Sequence, residues 1–219
     1  MNQLVFKMQN YILTHSNSLS IKGGFLYFLT ALSFIYEKIM FYRGRFKRRI
    51  PLSQIKSYLI SVGNITLGGT GKTPMAAWIA NHICLKQKEV GIVIRGYKRK
   101  RKIKEPILVG VDYSGPKQLE FFGDEALLLA DLCPHAKIMV CSDRLKAIER
   151  LEREFACKII ILDDGFQQIH LPKFMDIVCL DLKRPFGNNY LIPRGNLRER
   201  SQSLKRGTHF VFCKGTPRK

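Results

Sequence analysis

The segment Gly63-Asn64-Ile65-Thr66-Leu67-Gly68-Gly69-Thr70-Gly71-Lys72-Thr73 is the densest group of residues equipped for chemistry in this sequence. Glycines let successive backbone N–H groups turn inward around phosphate oxygens. A lysine after them reaches the β and γ phosphates, and the next hydroxyl can ligate Mg2+. Gly68, Gly69, Thr70, Gly71, Lys72 and Thr73 are therefore the candidate nucleotide-binding residues, with Thr73 also a candidate metal ligand. The strict G-x-x-x-x-G-K-[ST] spacing wants a glycine where this chain has Thr66, so Gly68 and Gly69 must supply the loop's freedom.

A phosphate loop needs an acidic partner for its metal. The run Lys158-Ile159-Ile160-Ile161-Leu162-Asp163-Asp164-Gly165 supplies one: an apolar strand ending in two carboxylates and a glycine. Asp163 is expected to hold Mg2+ opposite Thr73, with Asp164 and Gly165 shaping the turn behind it. A second acidic pair, Asp124-Glu125, follows Gly123 at the start of a helical pattern. Carboxylates there either complement the helix N-terminus or, in the case of Asp124, accept a proton from an attacking hydroxyl; spacing leaves both readings open.

These loops need a frame. From Tyr58 onward, short Val/Ile-rich runs alternate with helical patterns, which indicates β-α units on a parallel sheet. Strands are expected at Tyr58–Val62, Val90–Ile94, Lys137–Cys141, Lys158–Leu162, Asp176–Leu180 and His209–Phe212, and helices at Thr73–Leu85, Asp124–Leu132 and Asp143–Phe155. Leu145, Ile148, Leu151 and Phe155 fall at helical spacing, with Ser142 or Asp143 available as N-cap. The expected fold is α/β, a mostly parallel doubly wound sheet, in which ligands bind beyond the carboxyl ends of the strands.

The first 50 residues have another character. Gly23–Tyr36 is an uncharged apolar run, shorter than the roughly 20 residues of a spanning helix. Arg43, Arg45, Lys47, Arg48 and Arg49 follow it, a pattern that anionic headgroups attract by about 1 kcal/mol per charge. Two segments are expected: 1–50, a membrane-associated helix lying at the interface, with a helix packed on the domain's own core and a merely solvated basic cluster as the alternative, and 51–219, the phosphate-loop core.

The whole chain has 37 Lys and Arg against 17 Asp and Glu, a net charge of +20. The 46% of apolar residues excludes a disordered chain, and the charge excludes an acidic one and favours anionic partners without choosing among them. Six cysteines, with no C-x-x-C pair, read as reduced core thiols. The basic stretch Lys98–Lys104 raises a nucleic-acid reading, but aromatics are not interleaved with it apart from Tyr97, and no nucleic-acid motif accompanies it.

With these residues in hand, the chain resembles the tetraacyldisaccharide 4′-kinase family. The matching stretches, in the family's order, are Val62–Pro74, Arg95-Gly96-Tyr97, Gly123-Asp124-Glu125, Ser142-Asp143-Arg144, Leu162–Gln167 and Leu191–Glu199. The family's own loop lacks the glycine replaced here by Thr66. The resemblance implies a P-loop NTPase-like fold, ATP and Mg2+ as cofactors, and transfer of a γ-phosphoryl group to the 4′-hydroxyl of an acylated glucosamine disaccharide phosphate lipid in lipid A biosynthesis. It also implies a place on the cytoplasmic face of the inner membrane of a Gram-negative cell, on an anionic surface. By motif, Lys72, Asp124 and Asp164 are implied as catalytic, Thr73 and Asp163 as metal ligands, and Arg95, Glu125 and Glu199 as substrate residues.

Three departures from the family pattern stand out. Gln168 occupies the place of a histidine, the residues after Tyr97 are basic where the family is glycine-rich, and the chain reaches Lys219 without the family's Asp-His-His-like motif. The competing expectations are a catalytically impaired nucleotide-binding relative, a different phosphate-loop ATPase or GTPase, and a basic nucleic-acid-binding module.

Overall fold

The computed structural model describes residues 19–46, 49–86, 89–97, 99–101, 103–113 and 115–213. Seven strands form one sheet: β1 (Tyr58–Gly63), β2 (Val90–Ile94), β3 (Ile107–Leu108), β4 (Lys137–Val140), β5 (Ile159–Asp163), β6 (Met175–Asp181) and β7 (His209–Cys213). Their order is β3-β4-β2-β5-β1-β6-β7, and every pairing is parallel except β3 with β4. Burial on both faces explains why the inner strands read as continuous apolar runs and not as alternating patterns.

Each face carries its own helices. On one, α2 (Lys72–Cys84) and α4 (Asp124–Leu132) lay Ala76, Ala77, Ala80, Ala126 and Leu129 against Val62, Ile92, Val140, Ile161 and Ile177. Small alanines let α2 sit close to the strands, which fixes the start of the helix beside their carboxyl ends. On the other face, α5 (Arg144–Phe155) buries Ala147, Ile148 and Leu151 on Leu59, Val93, Met139, Ile160 and Leu162. Asp143 caps α5, its Oδ1 accepting from Leu145 N at 3.1 Å and Lys146 N at 3.4 Å. A third cluster, Ile65, Phe166, Val178, Leu180, Leu191 and Leu197, seals the β6 end.

The strands and helices expected from the sequence all occur, with ends displaced by one residue at several places. Besides two 3-10 helices, Leu52–Gln54 and Ser201–Arg206, two elements among the described residues are additional: the two-residue strand β3 and the short helix α3 (Gln118–Phe122). Neither is long enough to show a period, so packing and not patterning makes them. All six cysteines are free, and Cys133, Cys141, Cys157 and Cys179 are buried.

The N-terminal helix α1 (Leu19–Phe46) is longer than the apolar run that announces it. Its extension through Glu37 is supported by docking: Arg200 Nε lies 2.6 Å from Glu37 Oε1. Ser33 Oγ donates to Leu191 O at 2.9 Å and Arg194 Nη1 donates to Thr30 Oγ1 at 2.8 Å, so the same face of α1 grips residues 191–200. The stretch Gly23–Tyr42 is long and apolar enough to cross a membrane, by length and composition, and Tyr27, Phe28, Phe34, Ile35, Ile39 and Phe41 are exposed. Of the basic residues after it, Lys47 and Arg48 lie outside the described residues, as do Lys98 and Lys102 of the second basic stretch.

Candidate active site

β1 delivers the chain into the phosphate loop at Gly63, where a Cβ would collide with Phe166 Cβ and come within 2.7 Å of Phe166 N. Only glycine permits that approach. Asn64 Nδ2 donates to Thr70 Oγ1 at 2.8 Å and Gln167 Nε2 donates to Asn64 O at 2.9 Å, tying the loop to itself and to the turn after β5. The 191–198 segment braces its outer side: Leu67 N donates to Asn196 O at 2.6 Å and Arg198 N to Ile65 O at 2.7 Å. Thr66, standing where a strict loop has glycine, is buried and bridged to Leu197.

Gly71, at φ +82°, turns the chain into α2, whose first turn holds no acidic residue to offset its positive end. Lys72 and Thr73 open this helix. Thr73 Oγ1 donates to Asp163 Oδ2 across 3.4 Å, and Lys72 Nζ stands 3.7 Å from Asp164 Oδ1. The structure thus brings the two halves of the predicted site together.

The adjacent carboxylates sit in opposite electrostatic environments. Asp163 is 4% exposed, and burial, reinforced by Asp164, pushes its carboxyl up to about 6 against the opposing pull of Lys72. Its Oδ1 is buried with no hydrogen-bond partner. Asp164, at φ +54°, is half-buried; burial opposes its ionisation, but Arg198 and Lys72 outweigh it and hold its carboxyl below the usual range. Arg198 Nη1 donates to both Asp164 oxygens at 2.8 Å.

Mg2+ fits the donor set. A hydroxyl and a carboxylate are the hard oxygen ligands the ion prefers, and the orphaned Asp163 Oδ1 is a buried acceptor awaiting a partner. Among the described residues no group of three or more His, Cys, Asp or Glu gathers that could hold a metal ion by itself.

Two arginines that the sequence placed in matching stretches without giving them a role are central here. One is Arg198. The other is Arg144, 3% exposed, which donates from Nη1 to Cys141 O at 2.7 Å and from Nη2 to Asp163 O at 3.2 Å. Burial pulls its guanidinium down to about 10, against Asp163 and Asp164. It clips the end of β4 to the end of β5 and so fixes the backbone of the acidic turn. The available signal was an arginine one residue past a helix cap, directly after a strand end.

The remaining predicted residues are spread around this centre. Asp124 is exposed at the start of α4, its Oδ1 accepting from Glu125 N at 3.0 Å. Gly123, at φ +81°, abuts the Arg95-Gly96-Tyr97 loop, so the two segments form one wall. The Glu125 charge helps to raise the Asp163 carboxyl, and the Arg95 charge helps to lower the Arg144 guanidinium. Glu199 differs: it turns away from its neighbour Arg198 and pairs with Arg206, Nη2 to Oε2 at 2.6 Å. His209 begins β7, at the opposite end of the sheet from the loops.

Comparison with known proteins places the chain as a whole. The family model described as tetraacyldisaccharide-1-P 4′-kinase matches residues 25–219. The chain belongs to that family. It is 37% identical over 192 residues to the tetraacyldisaccharide 4′-kinase of Halothermothrix orenii, covering 86% of this chain and 50% of the relative. It is also 37% identical over 191 residues to that of Aquifex aeolicus, covering 84% and 57%. The chain therefore spans about half the length of the curated relatives it matches. Among solved structures, the crystal structure of LpxK from Aquifex aeolicus in complex with ATP superposes with a TM-score of 0.74 at 33% identity, covering 86% of this chain and 59% of that one.

Proposed function

We propose that this chain binds ATP and Mg2+ in the β1–α2 loop and transfers the γ-phosphoryl group to the 4′-hydroxyl of an acylated glucosamine disaccharide 1-phosphate at the cytoplasmic face of a membrane. The reading rests on family membership. The observation that carries it to the atoms is the meeting of Thr73 and Asp163 at 3.4 Å, beside Lys72, with a buried carboxylate oxygen left unpartnered.

In this reading Gly68, Gly69, Thr70 and Gly71 present backbone N–H groups to the phosphates, and Lys72 neutralises charge on the β and γ oxygens. Thr73 and Asp163 would hold Mg2+, which would supply positive charge against the negative charge of the transferring phosphoryl group. Asp164, kept ionised by Arg198, fixes the position of the Lys72 ammonium. Asp124 accepts the proton of the 4′-hydroxyl, from a position the solvent and a lipid headgroup can both reach. Arg95 and Glu125, on the wall formed by the two loops, face the acceptor. Phosphoryl transfer asks for this kind of positioning and charge neutralisation and little covalent chemistry.

The exposed aromatic face of α1 and the net charge of +20 support a lipid acceptor on an anionic surface. The segment 1–50 then serves as the membrane-associated part and 51–219 as the kinase core. The test is transfer of 32P from γ-labelled ATP to tetraacyldisaccharide 1-phosphate in mixed micelles. Label in the lipid, lost in Lys72→Ala and Asp124→Ala, is the expected result. ATP binding without label would overturn the transfer step.

A further inference from the structure

Beyond the residues of the proposed reaction lies a cluster, buried except for Arg206, that the mechanism does not use. Phe166, fully buried, follows the acidic turn directly and packs against Gly63, the first residue of the phosphate loop. Two cations lie over its ring: Arg206 with its guanidinium carbon 4.6 Å from the centroid, and Lys173 with Nζ at 5.7 Å. Lys173 Nζ also donates to Phe166 O at 3.1 Å and pairs with Asp176 Oδ2 at 2.7 Å, where both side chains are 8% exposed. Arg206 in turn pairs with Glu199, the residue after Arg198.

From these contacts we infer that Lys173 and Arg206 are positioning residues, a cationic clamp on Phe166 that holds the Asp163-Asp164 turn in register with the phosphate loop. The route is short and continuous. Lys173 ties the carbonyl of Phe166 to Asp176 on β6, while Arg206 covers the ring and fixes Glu199, and with it the backbone that delivers Arg198 to Asp164. Gly165 N donates to Val62 O at 3.2 Å, so a shift of Phe166 moves the turn relative to β1 itself. A charge buried for packing alone would be a poor choice, because an apolar residue of the same volume avoids the desolvation cost. A cation that both accepts the ring face and donates to the adjacent carbonyl fixes the ring and the backbone at once. Neither residue touches a nucleotide phosphate in the proposed reading; both act through the turn.

The functional consequence rests on the nucleotide-binding reading above, so the test has one arm that does not. Hydrogen exchange on the ligand-free chain compares wild type with Arg206→Gln, Lys173→Met and Lys173→Arg. The expected result is about tenfold faster exchange of the Gly165 and Gln168 amides in the first two, with β5 and α5 unchanged and Lys173→Arg close to wild type. Titration with a fluorescent ATP analogue then reads the metal. The Mg2+ concentration for half-saturation rises about fivefold in Arg206→Gln and Lys173→Met, while affinity without Mg2+ stays within about twofold. Unchanged exchange at the turn, uniform loss of protection, an unaltered Mg2+ requirement, or Lys173→Arg behaving as Lys173→Met would each overturn the clamp. A wild-type chain that binds no nucleotide would sink the nucleotide reading instead, and the exchange arm would still decide whether the clamp holds the turn.

Discussion

Replacing Asp163 by asparagine should stabilise the ligand-free protein while removing its metal-dependent function. The carboxyl of Asp163 is raised from 3.8 to about 6, first by burial and then by the adjacent Asp164. A folded-state value above the unfolded one means the folded protein holds this proton more tightly. The associated stability is present below about pH 4 and is lost as pH rises through about 6. At pH 7.5 the folded protein therefore carries the cost of a buried carboxylate, at most about 3 kcal/mol for a shift of this size. The amide introduced by Asp163→Asn cannot ionise, keeps an oxygen to accept from Thr73, and is spared that cost. For a chain of this length the gain corresponds to a rise in melting temperature of several degrees, with about 10 °C as a ceiling. The assay is thermal unfolding of D163N and wild type between pH 4 and 8, followed by ATP titration with and without Mg2+. The variant should melt higher at pH 7.5, match wild type near pH 4, and lose the Mg2+-dependent part of nucleotide affinity. A variant that melts lower at pH 7.5, or that gains equally at pH 4, would refute the idea that stability is given up here to keep a metal ligand ionised.

Arg144→Met strands the carbonyls of Cys141 and Asp163 in a buried setting and should cost about 2–4 kcal/mol in urea unfolding, with Arg144→Lys recovering only part because lysine lacks the fork. Arg150 joins α5 to the loop after β3 through Asp112, at 2.6 and 2.9 Å, and donates to Pro106 O at 2.6 Å; Arg150→Ala should cost about 1–2 kcal/mol of stability and leave nucleotide affinity unchanged. Phe28→Ser, Phe34→Ser and Ile35→Ser combined should reduce sedimentation with anionic vesicles at least about tenfold without lowering the melting temperature, since all three side chains are more than half exposed; retained binding would locate the membrane contact elsewhere.

Elements whose signal is local could be read from the chain alone. β2 and α4 run between the expected residues, and the glycines, Lys72 and Thr73 were legible because a phosphate loop is built from contiguous backbone between a strand and a helix. Asp163 was legible because a buried strand ending in a carboxylate is an anomaly in an apolar run. Short runs in a fixed order then carried the family. Which distant side chains complete the site was settled by the fold. Arg198 reaches Asp164 across 34 positions and Arg144 reaches the Asp163 carbonyl across 19, and no periodicity connects such pairs. Glu199 shows the converse: standing next to Arg198 in sequence, it is directed to Arg206 because adjacent side chains on a bracing loop leave the backbone in different directions. The length of α1 was likewise set by docking, as Arg200 and Arg194 accommodate a helix that runs on past the charges at Glu37 and Lys38. Local propensity and pattern fix where a chain can turn and what it can bind, whereas the pairing of charges depends on which strand ends the sheet order brings side by side.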